Sequence, residues 1–206
     1  MQFHPQPIEG TSLAQRVRTL RHGEFARSAH LKGLGDDFIR SRSAGYSATS
    51  RTTLVSVLRD QYATQKLTEA QEAQLQALAH PGAVTMTCGH QLVLGGGPLY
   101  VHSKIREVSA LSSQWEVPAR PVVPIFWMAT EDHDAAEINY FKLDGQTYRW
   151  ESSQKGAVGD FELDSSFQNF LKGLGFAPAV FRDAYSQSAT LAEAVRKYVN
   201  EMFGAQ

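Results

Sequence analysis

The apolar run Pro121–Ala129 ends abruptly in Thr130-Glu131-Asp132-His133-Asp134, and this junction constrains the fold more than any other stretch of the chain. A short apolar run that gives way at once to ionisable side chains has the pattern of a buried strand whose carboxyl end opens on solvent. In α/β folds that edge is where ligands are bound. A second junction has the same form: Ala83–Met86 runs into Cys88-Gly89-His90-Gln91 and then into Gly95-Gly96-Gly97-Pro98-Leu99-Tyr100. Pro98 fits the first turn of a helix, where its missing N–H costs nothing. Leu99, Ile105, Val108 and Leu111 carry an apolar stripe to about Trp115, before Pro118 and Pro121 end it. Strand, helix and strand in this order predict a βαβ unit with a right-handed crossover. Ala83–Met86 and Val122–Ala129 are then parallel neighbours. The second strand, apolar on both faces, reads as a central strand, and Phe126 and Trp127 read as core residues.

The flanking segments are punctuated by turn and cap signals. Residues 11–64 read as helical and irregular, with Leu54, Val55, Val57, Leu58 and Tyr62 close to a helical stripe over Arg51–Tyr62, and Gly33, Gly35 and Gly45 interrupting before it. Thr68 and Gln71 have capping-box spacing for a helix over Thr68–Ala79 that His80-Pro81-Gly82 stops. Asp144-Gly145 between Ile138–Leu143 and Gln146–Glu151 predicts a two-residue hairpin. Val158–Leu163 reads as a further strand, and Asp164 or Ser165 as the cap of a short helix to Leu171. Thr190 and Glu193 form a second capping box, opening a helix with Leu191, Val195, Tyr198, Val199 and Met202 on one side and Gly204 at its end. The domain organisation expected is a helical N-terminal extension over 1–80 and a partial α/β domain over 81–206 with an inserted hairpin at about 138–163.

Composition narrows the function classes. The 206 residues carry 20 basic and 21 acidic side chains, a net charge of −1, which leaves no electrostatic footprint for nucleic acid or an anionic membrane. One cysteine excludes an internal disulfide framework and a cysteine-based zinc site and fits a reducing compartment. No apolar run is long enough to span a bilayer, and Met1-Gln2-Phe3-His4-Pro5 lacks the pattern of a secretion signal. The location expected is the cytoplasm.

The two junctions supply the candidate site. Glu131, Asp132, His133 and Asp134, with His90, Gln91 and Lys104, are expected to line one crevice at the strand ends, with Asp132 and His133 dividing substrate binding and proton movement. The Gly95–Gly97 run before Pro98 reads either as an anion mouth at a helix start or as a plain flexible connection. The acidic cluster matches no zinc-binding spacing, so no metal is expected. Cys88, with no catalytic signature around it, reads as a small buried hydrophobe.

With these residues in view the chain resembles the BshC family, the cysteine-adding enzymes of bacillithiol biosynthesis. The resemblance is carried by Gly89-His90-Gln91, by Gly97-Pro98-Leu99-Tyr100 with Lys104, by Pro121–Asp134 with Glu137-Ile138-Asn139, and by Gln154–Gly159. Cys88, where the family usually has Thr, and the bare Gly95-Gly96-Gly97 run depart from it. The resemblance covers the N-terminal part of longer proteins. It implies an incomplete Rossmann-like, nucleotidylyl-transferase-like parallel sheet, and a ligase that adds cysteine to the amine of glucosaminyl-malate. It implies Asp132, His133 and His90 as catalytic residues, and Gly89, Gln91, Gly97, Pro98, Tyr100, Lys104, Glu131, Asp134 and Asn139 as substrate- or nucleotide-binding. No cofactor is fixed; analogy of fold points to ATP or ADP. The partners implied are the small-molecule substrates, with no nucleic acid and no membrane, and a family homodimer through a coiled coil that these residues do not include. The alternative is a non-catalytic remnant or subunit that keeps a ligand pocket. A metal-dependent hydrolase built on the acidic cluster stands behind both. A sheet cut off after two or three strands is further expected to leave the Leu191–Met202 helix face uncovered and the isolated chain poorly soluble.

Overall fold

The computed structural model describes residues 41, 43–117 and 119–205. The chain divides into two units, 1–45 and 46–206. The segment expected to be helical and irregular before residue 41 lies outside the described residues, as does Pro118. The second unit begins with α1 (Ala48–Gln61), capped by the Ser47 hydroxyl accepting from the Ser50 N–H. α2 (Glu69–Leu78) follows with the expected capping box: Thr68 accepts from the Gln71 N–H, and Gln71 Oε1 accepts from the Thr68 N–H. The two helices are joined at the surface by Arg59 and Glu72 and buried at Leu75 and Leu78.

The central unit has the predicted form. β1 (Val84–Gln91), α3 (Leu99–Trp115) and β2 (Val122–Ala129) make a βαβ unit whose two strands pair in parallel, Val84 with Val122 through Gln91 with Ala129. β1 runs five residues past the expected end at Met86. Hydrophobicity was the wrong guide there, because the ladder is made by backbone groups and needs no apolar side chain. Thr85, Thr87 and Gly89 are more exposed than their neighbours, the period of two that marks a half-covered strand. The polar cluster Cys88–Gln91 therefore lies within the strand, not beyond it.

β2 also differs from a fully covered central strand. Val123, Ile125 and Trp127 share one face. α2 packs on this strand and Val123 is buried, but cover gives out along the row and Trp127 is 58% exposed. Trp127 is thus not a core residue. Phe126, on the opposite face, is half-buried near Ile105 and Tyr198.

Pro98 is the residue before α3 rather than within its first turn (φ −59°, ψ 153°). The preceding glycines explain themselves: Gly95, Gly96 and Gly97 all have φ between 72° and 80°, a conformation other residues rarely adopt. Gly96 is also crowded, since a Cβ there would fall 2.8 Å from His102 Nε2.

After β2 comes a single helical turn, α4 (Ala135–Ile138), then the hairpin β3 (Tyr140–Leu143) and β4 (Gln146–Arg149). Asp144 (φ 50°) and Gly145 (φ 79°) form the predicted turn, with both central residues at positive φ. The strands are shorter than expected: Ile138 is spent in α4, and Trp150 leaves the ladder to enter the core. Val158–Leu163 is not a strand. Val158–Asp160 is a 3₁₀ turn, and Glu162 makes one isolated bridge with Thr190. The turn wins because Val158 and Gly159 donate their N–H groups to the carbonyls of Asp132 and Thr130 instead of to a neighbouring strand.

Three helices close the unit. α5 (Ser165–Gly173) is capped by Asp164, and α7 (Leu191–Phe203) by Thr190, as expected. Glu193 accepts from the Ala189 N–H, one residue before the usual capping-box partner. Between them α6 (Ala179–Ser186) was not anticipated, although Pro178 before it and the stripe Phe181, Ala184, Tyr185 are its sequence marks. Together these helices overturn the expectation of an uncovered C-terminal face. Leu191, Val195 and Tyr198 are buried with Phe161, Phe181 and Tyr185, Val199 is partly buried, and Met202 is exposed. That face is covered from within the chain, while each strand of the two-stranded parallel sheet keeps one edge without a strand partner among the described residues.

Candidate functional site

The ends of β1 and β2 lie side by side because the register brings Gln91 opposite Ala129. Beyond β2 the chain turns sharply, with the Asp132 N–H on the Ala129 carbonyl and the Thr130 N–H on the Met128 carbonyl. The Asp132 side chain folds this turn onto itself. Its Oδ1 accepts from the backbone N–H groups of His133 (2.7 Å) and Asp134 (3.2 Å). Its Oδ2 accepts from Gln91 Nε2 at 2.7 Å. These bonds, that from Gln91 foremost, hold the Asp132 carboxyl below the usual carboxylate range.

Gln91 also donates from Nε2 to Glu137 Oε2, again at 2.7 Å. Glu137, in α4, was read from the sequence only beside the acidic cluster and in the segment that carries the resemblance, not among the binding or catalytic residues. The available signal was its position five residues after Asp132, across a single turn.

His90 follows another path. Successive strand residues project to opposite faces, and His90 Nε2 meets the Tyr100 hydroxyl at 2.7 Å at the start of α3. Lys104, one turn on, stands 5.4 Å from the centre of the Tyr100 ring and donates to the Gly89 carbonyl at 3.4 Å. Cys88 sits near the same ammonium. Burial pushes its thiol up, against the pull of Lys104. Two groups thus flank the strand ends: Gln91, Asp132 and Glu137 in one, and His90, Tyr100 and Lys104 in the other. Glu131 and Asp134 are exposed in the turn, and His133 is held through its backbone. Asn139 is turned to the hairpin, where Oδ1 accepts from Arg149 at 2.5 Å and its carbonyl accepts from the Trp150 N–H.

At the start of α3 the N–H groups of the first turn have no side-chain cap, and Leu99 is 80% exposed. The Gly96 and Gly97 N–H groups are committed to the Val93 and Leu94 carbonyls. Beside Gln91 lies a hollow of about 10 Å³ lined by His102, Phe126, Tyr198 and Phe203, room for about one water molecule. Among the described residues no cluster of three or more His, Cys, Asp and Glu side chains is arranged to hold a metal ion, and no helix is long and apolar enough to cross a membrane.

Comparison with known proteins agrees with this arrangement. Residues 35–206 match the family model of the bacillithiol biosynthesis BshC N-terminal Rossmann-like domain. A protein of Cytophaga hutchinsonii, "Putative cysteine ligase BshC", is 42% identical over 156 residues, 75% of this chain and 30% of its own length. Proteins of the same name from Christiangramia forsetii and Flavobacterium psychrophilum are 36% and 37% identical over 81% and 75% of this chain. The chain spans about a third of the length of these relatives, 30–34%. A parallel pair joined by a helix, with its polar residues at the carboxyl ends, is the arrangement this match requires: the chain belongs to the BshC family, in the part that forms its N-terminal Rossmann-like domain.

Proposed function

We propose that this chain supplies the Rossmann-like part of a cysteine ligase that joins the carboxyl group of cysteine to the amine of glucosaminyl-malate. The observation that carries the reading is the hydrogen bond from Gln91 to Asp132 across the ends of the parallel pair, within a domain of this family. Asp132, held ionised by its hydrogen bonds, is suited to bind the amine as an ammonium rather than to take up its proton. His133, its side chain free to turn toward solvent, and His90, tied to Tyr100, are the remaining proton-handling groups.

Amide formation from a free carboxylate expels one carboxyl oxygen, so the acid must first be activated. ATP supplies that chemistry when bound. The residues present would meet its phosphates or another anion at one place: the Leu99 and Tyr100 N–H groups at the start of α3, where Pro98 gives no side-chain cap and Val101 already bonds the Pro98 carbonyl, with Lys104 behind Tyr100. The glycine N–H groups do not add to it, being already bonded within the 3₁₀ turn.

A second reading, a non-catalytic subunit that keeps part of a ligand site, is favoured by the commitment of His90, Gln91 and Lys104 to partners within the chain. Incubation of the chain with cysteine and glucosaminyl-malate, with and without ATP, separates the two by mass spectrometry. Amide product that disappears in Asp132→Asn supports the ligase. Substrate binding by calorimetry with no product under any condition supports the subunit.

A further inference from the structure

We propose that Gln91 is a positioning residue: its side-chain amide clamps Asp132 and Glu137 to the end of β1, so that a ligand meets the two carboxylates and not the amide N–H groups. The proposal rests on the placement of Asp132 in the site and deepens it by reassigning Gln91 from ligand binding.

A glutamine amide has two N–H hydrogens. Both are spent, one on Asp132 Oδ2 and one on Glu137 Oε2, each at 2.7 Å. None is left to donate to a substrate. The two acceptors belong to different elements, the turn after β2 and α4, while the donor ends β1. One side chain therefore fixes three segments. The register places Gln91 where this is possible, opposite Ala129 at the last rung of the ladder, with Asp132 three residues beyond.

Without a bridging donor, two neighbouring carboxylates repel and turn away from each other. A neutral amide between them removes the reason to separate and adds no charge. Asp132 Oδ1 is already held by the His133 and Asp134 N–H groups, so the clamp completes the restraint of this carboxylate in all directions but one. Preorganisation of this kind is what a reacting group requires of its neighbours. The charged and titratable side chains facing Asp132 are Glu137 from α4, which shares the Gln91 amide, and His133 in its own turn. Lys104, on α3, is engaged at Gly89 and Tyr100.

The test is side-chain NMR on the whole chain. In the unaltered protein the Gln91 amide signals should shift through the same midpoint as the Asp132 carboxyl carbon. In Gln91→Met, close in size but without a donor, the Asp132 midpoint should move up toward the ordinary carboxylate range. Binding of L-cysteine and glucosaminyl-malate, the probes used, should weaken in step. Gln91 amide signals that stay silent through the Asp132 titration would overturn the clamp, and this measurement needs no variant. Lost probe binding with an unmoved Asp132 midpoint would overturn it too, by making Gln91 a direct ligand group. Amide product formed by Asp132→Asn at the parent rate would instead take Asp132 out of the chemistry on which the proposal rests, with the titrations still deciding the clamp.

Discussion

A Cβ placed on Gly159 would lie 2.7 Å from the Thr130 carbonyl oxygen, closer than a side chain can approach backbone. That carbonyl accepts the Gly159 N–H at 2.9 Å, and one residue away the Asp132 carbonyl accepts from Val158 at 2.7 Å. The 3₁₀ turn thus braces the acidic turn, and only glycine permits the approach. Gly159→Ala should cost about 1–3 kcal/mol by overpacking and should shift the amide resonances of Thr130 and Asp132. Unchanged urea denaturation and unchanged spectra would show that the brace gives way without cost.

Trp150 anchors the C-terminal core. It is 1% exposed, meets Phe167 edge to face at 4.9 Å between ring centres, and donates from Nε1 to the Ser166 hydroxyl at 2.9 Å. Trp150→Ala should lose about 3–5 kcal/mol. Trp150→Phe should lose less, since a ring still faces Phe167 and Ser166 keeps its bond to Asp164. Equal losses in chemical denaturation would mean that the indole N–H matters more than the packed volume.

Asp164 caps α5 by accepting from the Ser166 and Phe167 N–H groups and from the Ser166 hydroxyl. The Ser166 hydroxyl foremost holds the Asp164 carboxyl below its ordinary value. A carboxyl depressed by folding stabilises above its unfolded pKa and ceases to as the pH falls through the folded one. Asp164→Ala should therefore cost about 1 kcal/mol near neutrality. The difference from the parent should shrink once the pH drops below about 4. A difference constant from pH 7 to pH 3 in denaturation curves would mean that ionisation plays no part in the cap.

Tyr185 is fully buried between Phe167 and Phe181. Its hydroxyl faces the Gly95 N–H without a well-formed hydrogen bond, and burial drives its pKa far above the phenol range. Tyr185→Phe should change stability at neutral pH by no more than about 1 kcal/mol, since little is lost with the hydroxyl. For a phenol raised by folding, stability is full below the unfolded pKa and falls above it, so the variant should become the more stable protein above about pH 10. Parent and variant with parallel stability curves through alkaline pH would show that Tyr185 reaches solvent.

Much of this fold was legible along the chain because its signals are local. Thr68, Asp164 and Thr190 cap helices through atoms within three residues. Asp144-Gly145 makes its turn from its own dihedral preferences, and the glycine run before α3 is needed for three successive positive φ angles. The parallel pairing followed from the order of elements, since two buried strands joined by a helix have few ways to share a sheet. The family resemblance, carried by the same junctions, was legible for the same reason.

What the sequence determined by itself is therefore the βαβ unit and its strand order, the hairpin turn, and the capped helices α2, α5 and α7, mostly through interactions of short range. Tertiary structure alone decided the remainder. That β1 extends to Gln91 depends on a partner strand of equal length offering backbone groups. That Trp127 is exposed while Val123 is buried depends on where α2 stops. Val158–Asp160 became a brace and not a strand because two carbonyls across the chain accepted its N–H groups first. The division of the candidate site into Gln91 with Asp132 and Glu137, and His90 with Tyr100, follows from alternation along a strand whose extent only the ladder fixes. Contacts between residues far apart in sequence leave no mark on local composition, and these are the ones that set the site.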